Sequence, residues 1–244
     1  MGQKANNSEI LVMASVLEAK SKDELISRLK TVVKSTGFET FMIGLERRAV
    51  NGALIHHVTS DYDLEWQTKY QKNQYALIDP TVPYCQKSTA PLLWSEEFFR
   101  NAGAIHVLEE ARSYGVSHGL SISTHDWNGC KSMMSMVRDQ PLDRSIHEKN
   151  HLIASARLIS ACVHQTGFHL LEIEDRNRIK DSLTRREQEV LQWIAHGKTT
   201  WEISVIMAVS EATVAFHVKN LMRKLDVHNR QQALAIALRI GLIN

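Results

Sequence analysis

Leu183-Thr-Arg-Arg-Glu-Gln-Glu-Val-Leu191 opens the stretch whose reading decides the C-terminal fold. Thr184 and Glu187 stand in Ser/Thr-x-x-Glu spacing, a capping box in which hydroxyl and carboxylate satisfy each other's orphan backbone N–H groups, so a helix begins there. Val190, Leu191 and Ile194 give it an apolar face, and Gly197 supplies the left-handed residue that ends it. A second short helix is expected from about Thr200 to Ala208. Ser210 then N-caps a third, Glu211 to Leu225, whose Val214, Val218, Leu221 and Leu225 recur at i, i+4, i+7 and i+11. With a last helix reaching toward Leu242, residues 183–244 read as a four-helix module.

The side of the third helix left free by that stripe presents Ala215, Phe216, Lys219 and Arg223, with His217 at the flank. Such a helix, entered through Ser210 and Thr213, fits the major groove of double-stranded DNA. Small Ala215 lets the backbone approach the bases, while Lys219 and Arg223 reach base edges or phosphates. The N-termini of the second and third helices offer free N–H groups to phosphate oxygens, and Thr200, Trp201 and Thr213 stand where those contacts form. Taken alone, a basic helix face is usually just solvated; cap, glycine, second cap and stripe together point to DNA.

These same residues carry a resemblance. Leu183 to Leu191, Gly197-Lys-Thr-Thr200, Glu202-Ile203, Ser210-Glu-Ala-Thr-Val214, His217-Val-Lys-Asn220 and Arg223-Lys-Leu225 are similar to the LuxR-type helix-turn-helix over nearly all of residues 180–244. Glu187, Leu191 and Gly197 match its signature positions. The resemblance implies base reading from Ala215, Phe216 and Lys219, and phosphate contacts from Thr200, Thr213 and His217. Ala215 departs from the basic residue often found at its position.

A chain of 244 residues is longer than that module needs and fits two domains. Residues 180–244 hold nine Lys/Arg against six Asp/Glu, whereas the rest hold twenty against twenty-one, so the positive charge sits on the end expected to meet phosphate. Cys85, Cys130 and Cys162 are widely spaced and lack a metal-ligand pattern, which favours reduced, buried thiols over zinc, and no cofactor is called for. The polar start lacks a signal peptide's apolar stretch and nowhere do eighteen apolar residues run together. A cytoplasmic protein without a membrane partner is expected.

From Ile10 to about Gln165 both periodicities occur. Residues 9–20 and 22–36 read as helices, the latter opening with a further capping box at Ser21 and Glu24 and ending at Gly37. Phe41 to Leu45 and Ala53 to Val58 read as strands around an Asn51-Gly52 turn. Leu64 to Tyr75 reads as a helix, and Ser95 to Ser113 as two helical pieces around Gly103. Gly119 to Thr124 and Ser132 to Val137 form a hairpin, and a long helix is expected from about Asp143 to Gly167. Strands flanked by helices imply an α/β/α sandwich, making the whole chain α+β. The expected boundaries are 1–169 for this domain, a charged linker at 170–182, and 183–244 for the four-helix module.

Within the first domain Tyr62, Trp66 and Tyr70 recur at i, i+4 and i+8, an aromatic stripe whose O–H and N–H groups need partners when buried. Asp79 lies in the apolar run Ala76-Leu-Ile-Asp-Pro-Thr-Val82, where an ionised carboxylate is costly unless it receives hydrogen bonds, and a ligand amide N–H would serve. The plainer alternative makes Asp79-Pro80 a turn and the stripe ordinary core. Trp66-x-x-x-Tyr70, Tyr75-x-x-x-Asp79-Pro80, Pro91-x-x-Trp94 and Gly119 resemble the autoinducer-binding domain of LuxR-type quorum-sensing receptors. Asp79-Pro-Thr-Val-x-x-Cys85 with Pro91-Leu-Leu-Trp94 is similar to the LasR subgroup.

That resemblance implies a receptor for an N-acyl-homoserine lactone. Trp66 would donate to the lactone carbonyl, Asp79 would accept from the amide N–H, and Tyr62 and Ser135 would bind the amide carbonyl with Thr81 close by. Tyr70 and Trp94 would wall the pocket. Met42, Ile43, Leu45, Leu54 and Met133 are expected along the acyl tail. A homodimer is expected from the long helix (Leu152, Ile153, Ala156, Leu158, Ile159, Cys162) and from Ala233, Ala235, Ile236 and Ala237 of the last helix, although core packing accounts for both stripes nearly as well. A phosphorylation-controlled regulator lacks its acidic pair in residues 37–60. A lactone-processing enzyme lacks its metal cluster or nucleophile elbow. A regulator of the same build that senses another small molecule, or represses without ligand, remains the alternative.

Overall fold

The computed structural model describes residues 12–48, 53–142 and 145–243. Two compact units divide the chain near residue 168. In the first, Ser15–Glu18 forms a 3-10 turn and α1 spans Lys22–Ser35. Ser21 caps α1, yet Glu24 accepts from the N–H of Lys20 rather than from the capping residue, so the expected reciprocal box is only half formed. Gly37 follows at φ +89°, where glycine alone is unstrained. Strands β1 (Thr40–Arg48), β2 (Leu54–Ser60), β3 (Leu92–Leu93), β4 (His118–His125) and β5 (Lys131–Arg138) form one sheet in the order β2-β1-β5-β4-β3. The expected turn at Asn51-Gly52 lies outside the described residues.

Register fixes the two faces. Met42 pairs with Ser135, Leu45 with Ser132, and Ser121 with Ser135, all antiparallel. Alternation then turns Phe41, Ile43, Leu45, Ser132 and Met134 to one face and Met42, Gly44, Met133 and Ser135 to the other. The first face is covered by α6 (Ile146–Ser182): Leu45 lies against Gly167, and Ser132 and Thr124 bond His164 and Ser160. The second is covered by α2 (Leu64–Lys72), α3 (Thr81–Lys87), α4 (Glu96–Asn101) and α5 (Ile105–Arg112). There Trp66, Phe99, Val107 and Leu108 pack with Met42 and Val137. The sandwich of helices about a sheet is therefore as expected.

Three differences have physical causes. Helix α3 replaces a simple turn after Asp79, because Pro80 has helical backbone angles and Asp79 ties the backbone N–H of Thr81. Gly167 does not end α6; a Cβ there would stand 2.8 Å from Leu45 Cδ1, so the glycine serves close approach instead of termination. Residues 170–182, expected as a linker, continue α6 to Ser182, since their Glu, Arg and Lys are good helix formers and Leu170 and Leu171 are buried.

The second unit contains α7 (Arg185–Ala195), α8 (Thr200–Met207), α9 (Glu211–Lys224) and α10 (Arg230–Arg239). Thr184 and Glu187 form the expected capping box, and a second one joins Thr199 and Glu202. Val190, Leu191, Ile203, Val214 and Leu221 make the core. Ala233, Ile236 and Ala237, expected as a possible interface, are buried in that core, leaving Ala235 at the surface. Among the described residues no single helix is long and apolar enough to cross a membrane.

Candidate functional site

A cavity of about 730 Å³ lies between the second face of the sheet and α2 to α5, within the size range of small-molecule sites. Tyr62, Trp66, Tyr70, Asp79, Thr81, Trp94, Ser135, Met42 and Leu45 all border it. Leu45 differs in its aim, because strand alternation turns its side chain toward Gly167 and away from Met42. Met133 lines the cavity, whereas Ile43 is buried on the other face and Leu54 is exposed.

Helix α2 builds the aromatic wall. Asp63 caps it by accepting from the backbone of Glu65 and Trp66, which sets Trp66 and Tyr70 one turn apart with rings edge to face at 5.7 Å. Trp66 also stacks on Tyr114, with centroids 5.7 Å apart. Opposite stands Asp79, whose need for donors the chain itself largely meets. Oδ1 accepts from the Thr81 N–H at 2.9 Å and the Thr81 hydroxyl at 2.7 Å, and Oδ2 from the Tyr70 hydroxyl at 2.9 Å. A carboxylate has about four acceptor sites, so one remains for a further donor.

Burial, followed by the Asp79 charge, pushes the Tyr70 hydroxyl pKa well above its ordinary value, and burial with Asp79 and Asp61 does the same to Tyr62. The Cys85 thiol, also on the cavity wall, is pushed up to about 12 by burial and then by Asp79. All three keep their protons at neutral pH. The Tyr62 hydroxyl is buried with no hydrogen-bond partner, which makes it a donor held ready at the cavity wall.

Ser121, which no motif in the sequence singles out, organises the other side. The Trp94 indole N–H donates to Ser121 Oγ at 2.9 Å, and Ser121 and Ser135 hydroxyls stand 2.8 Å apart. Indole is a donor only, so Ser121 accepts from it. When Ser121 in turn donates to Ser135, the Ser135 proton is released toward the cavity. The alternation of Gly119 to Thr124 against Ser132 to Val137 is the signal that places Ser121 opposite Ser135. Gly119 makes room for the indole: a Cβ there would fall 2.3 Å from Trp94 Cδ2.

In the second unit, Ala215, Phe216, Lys219 and Arg223 are exposed along α9, Phe216 at 62%, with His217 half-buried beside them. Ser210 accepts from the Thr213 N–H at 3.1 Å, and the two hydroxyls stand 2.8 Å apart. Thr200 is half-buried at the first turn of α8 and Trp201 is 61% exposed next to it. Beneath this face Lys224 of α9 reaches Glu187 of α7 at 2.6 Å, fixing the angle at which α9 is presented.

Residues 21–166 match the autoinducer binding domain, and residues 181–237 match the bacterial regulatory proteins of the luxR family. The chain belongs to the LuxR family of regulators. It is a quorum-sensing type of transcriptional regulator, with an autoinducer-binding domain ahead of a helix-turn-helix. The transcriptional activator protein AnoR of Acinetobacter nosocomialis is 31% identical over 95% of this chain and 97% of its own length. The transcriptional activator protein PhzR of Pseudomonas fluorescens is 35% identical over 77% of this chain and 75% of its own. The structure of SdiA in complex with octanoyl-rac-glycerol shares the fold, with a TM-score of 0.62 at 21% identity over 97% of this chain and 95% of that one.

Proposed function

We propose that this LuxR-family regulator is a cytoplasmic transcription factor that takes an N-acyl-homoserine lactone into the cavity, dimerises, and engages inverted-repeat promoter DNA through α9. It acts by binding and not by catalysis. The observation that carries the reading is the pairing of one acceptor site left on Asp79 with a partnerless buried Tyr62 hydroxyl and the Ser135 hydroxyl on the same cavity wall. A lactone amide is the complement, with one N–H to give and carbonyl oxygens to receive. Each of these bonds contributes roughly 1 kcal/mol, while each buried methylene of the acyl chain contributes about 0.8 kcal/mol, so the chain dominates affinity and the polar groups select the head.

Mass spectrometry of small molecules that co-purify with the protein, expressed with and without added lactones, tests the ligand class. Recovery of a lactone in stoichiometric amount supports it; recovery of a different compound, or of none, refutes it. Asp79→Asn replaces an acceptor oxygen by a donor amide and should weaken lactone binding about tenfold to a hundredfold, and with it lactone-dependent DNA binding by the full chain, while isolated residues 170–244 keep their ability to bind DNA.

A further inference from the structure

Glycine in a strand interior gives up side-chain packing and costs backbone entropy, so it needs a reason. Among the described glycines, most have φ between +65° and +89°, and Gly119 and Gly167 face atoms that would collide with a Cβ. Gly44 has neither reason: its φ is not positive and nothing stands within 4 Å of where its Cβ would be. It lies in the middle of β1, opposite Met133, on the face that lines the cavity.

We propose that Gly44 sets the length of acyl chain the cavity admits, by holding open the passage from the head-group cluster to the far end at Glu46, His56 and Lys131. This rests on the lactone reading above. In that reading Ser135, which binds the amide carbonyl, marks the level of the head, and its pairing with Met42 puts the start of the tail there. Gly44 and Met133 lie two residues further along the strands, about 7 Å on, and Glu46 and Lys131 another ~7 Å beyond. Chains too short to reach Gly44 do not sense it; longer ones pass over it. At the far end His56 is 55% exposed, paired at 3.6 Å with Glu46, and Lys131 is bonded to the Gln86 carbonyl. Atoms that reach this polar, half-open rim leave water incompletely and add little affinity.

Binding of an N-acyl-homoserine lactone series from butanoyl to tetradecanoyl, measured by calorimetry on the full chain and on Gly44→Ala and Gly44→Val, tests the assignment. For the unaltered protein, affinity should rise up to about fourfold per buried methylene and then level off for the longest chains. Gly44→Val should hold butanoyl affinity within about twofold and lose on the order of tenfold or more for dodecanoyl, with Gly44→Ala between. Since valine suits a strand and its Cβ enters open space, the variant's melting temperature should equal or exceed that of the parent. Unchanged chain-length profiles, or a loss uniform across the series, overturn the role of Gly44 while leaving the lactone reading in place. Failure of the unaltered protein to bind any member overturns both.

Discussion

A buried hydroxyl without a partner costs about 1–3 kcal/mol, and Tyr62 carries that cost at the cavity wall. Removing the oxygen should therefore help the fold and harm the function. Tyr62→Phe is expected to raise the stability of the ligand-free protein by about 1 kcal/mol, while lowering lactone affinity about tenfold; thermal melts with and without lactone read both signs. A fall in both quantities would mean that Tyr62 is ordinary core. The residue's neighbours show how far such chemistry is legible beforehand. Trp66 and Tyr70 are found from their i, i+4 spacing because a helix converts spacing directly into a shared face. The Trp94 to Ser121 to Ser135 relay is not found that way, because it joins residues 27 and 14 positions apart across strands. Its expression in sequence is only the alternation of a hairpin whose register is fixed by packing.

At the scale of elements, local signals are read well and tertiary ones poorly. The caps at Ser21, Thr184 and Ser210 and the left-handed Gly37 and Gly197 are decided within four residues, and all appear where the sequence puts them. Thr199-x-x-Glu202 obeys the same local rule and forms a capping box. The extent of α6 was not, because Gly167 answers to Leu45 on a distant strand. Helix α9 is the element on which DNA reading is proposed. Its exposed face offers apolar Ala215 and Phe216 ahead of Lys219 and Arg223. Apolar side chains in the major groove recognise the thymine methyl group. Replacing thymine by deoxyuridine within selected half-sites should cost about fourfold in affinity per contacted methyl, and Phe216→Ala should abolish the difference; equal binding of both DNAs by the unaltered protein would rule that contact out. Lys219→Ala should lower affinity and reduce the salt slope by about one. Support for α9 comes from Glu187, only 4% exposed as a side chain and 2.6 Å from Lys224. Glu187→Ala leaves that ammonium and the Thr184 N–H without their acceptor, at a cost of about 2–3 kcal/mol, readable as an earlier urea midpoint of the helix-turn-helix.

For the molecule as a whole, the two units should answer acid in different pH windows. In the first, His164 is wedged between Ser132 Oγ at 2.9 Å and Asp126 Oδ2 at 3.3 Å, with the Phe168 ring at 4.9 Å. Burial lowers its pKa below the ordinary 6.5, outweighing the pull of Asp126 in the other direction, and nearby His125 adds to the lowering. The unfolded chain then takes up a proton before the folded one does, so stability is complete above about 6.5 and is lost as pH falls below it. In the second unit burial alone would raise the pKa of Glu187, but the bonds from Lys224 and Thr184 prevail and lower it below 4.5. Its contribution is present above the unfolded value and is lost only as pH falls through the lowered one. Acidification from pH 7 to 5 should therefore loosen β4, β5 and α6 first, with α7 and α9 holding until lower pH. Hydrogen exchange followed along the chain across this range measures the order directly. His164→Gln keeps hydrogen-bonding capacity but cannot charge, so the slope of stability against pH between 7 and 5 should be shallower in this variant than in its parent. An identical slope would show that His164 is not the group that titrates.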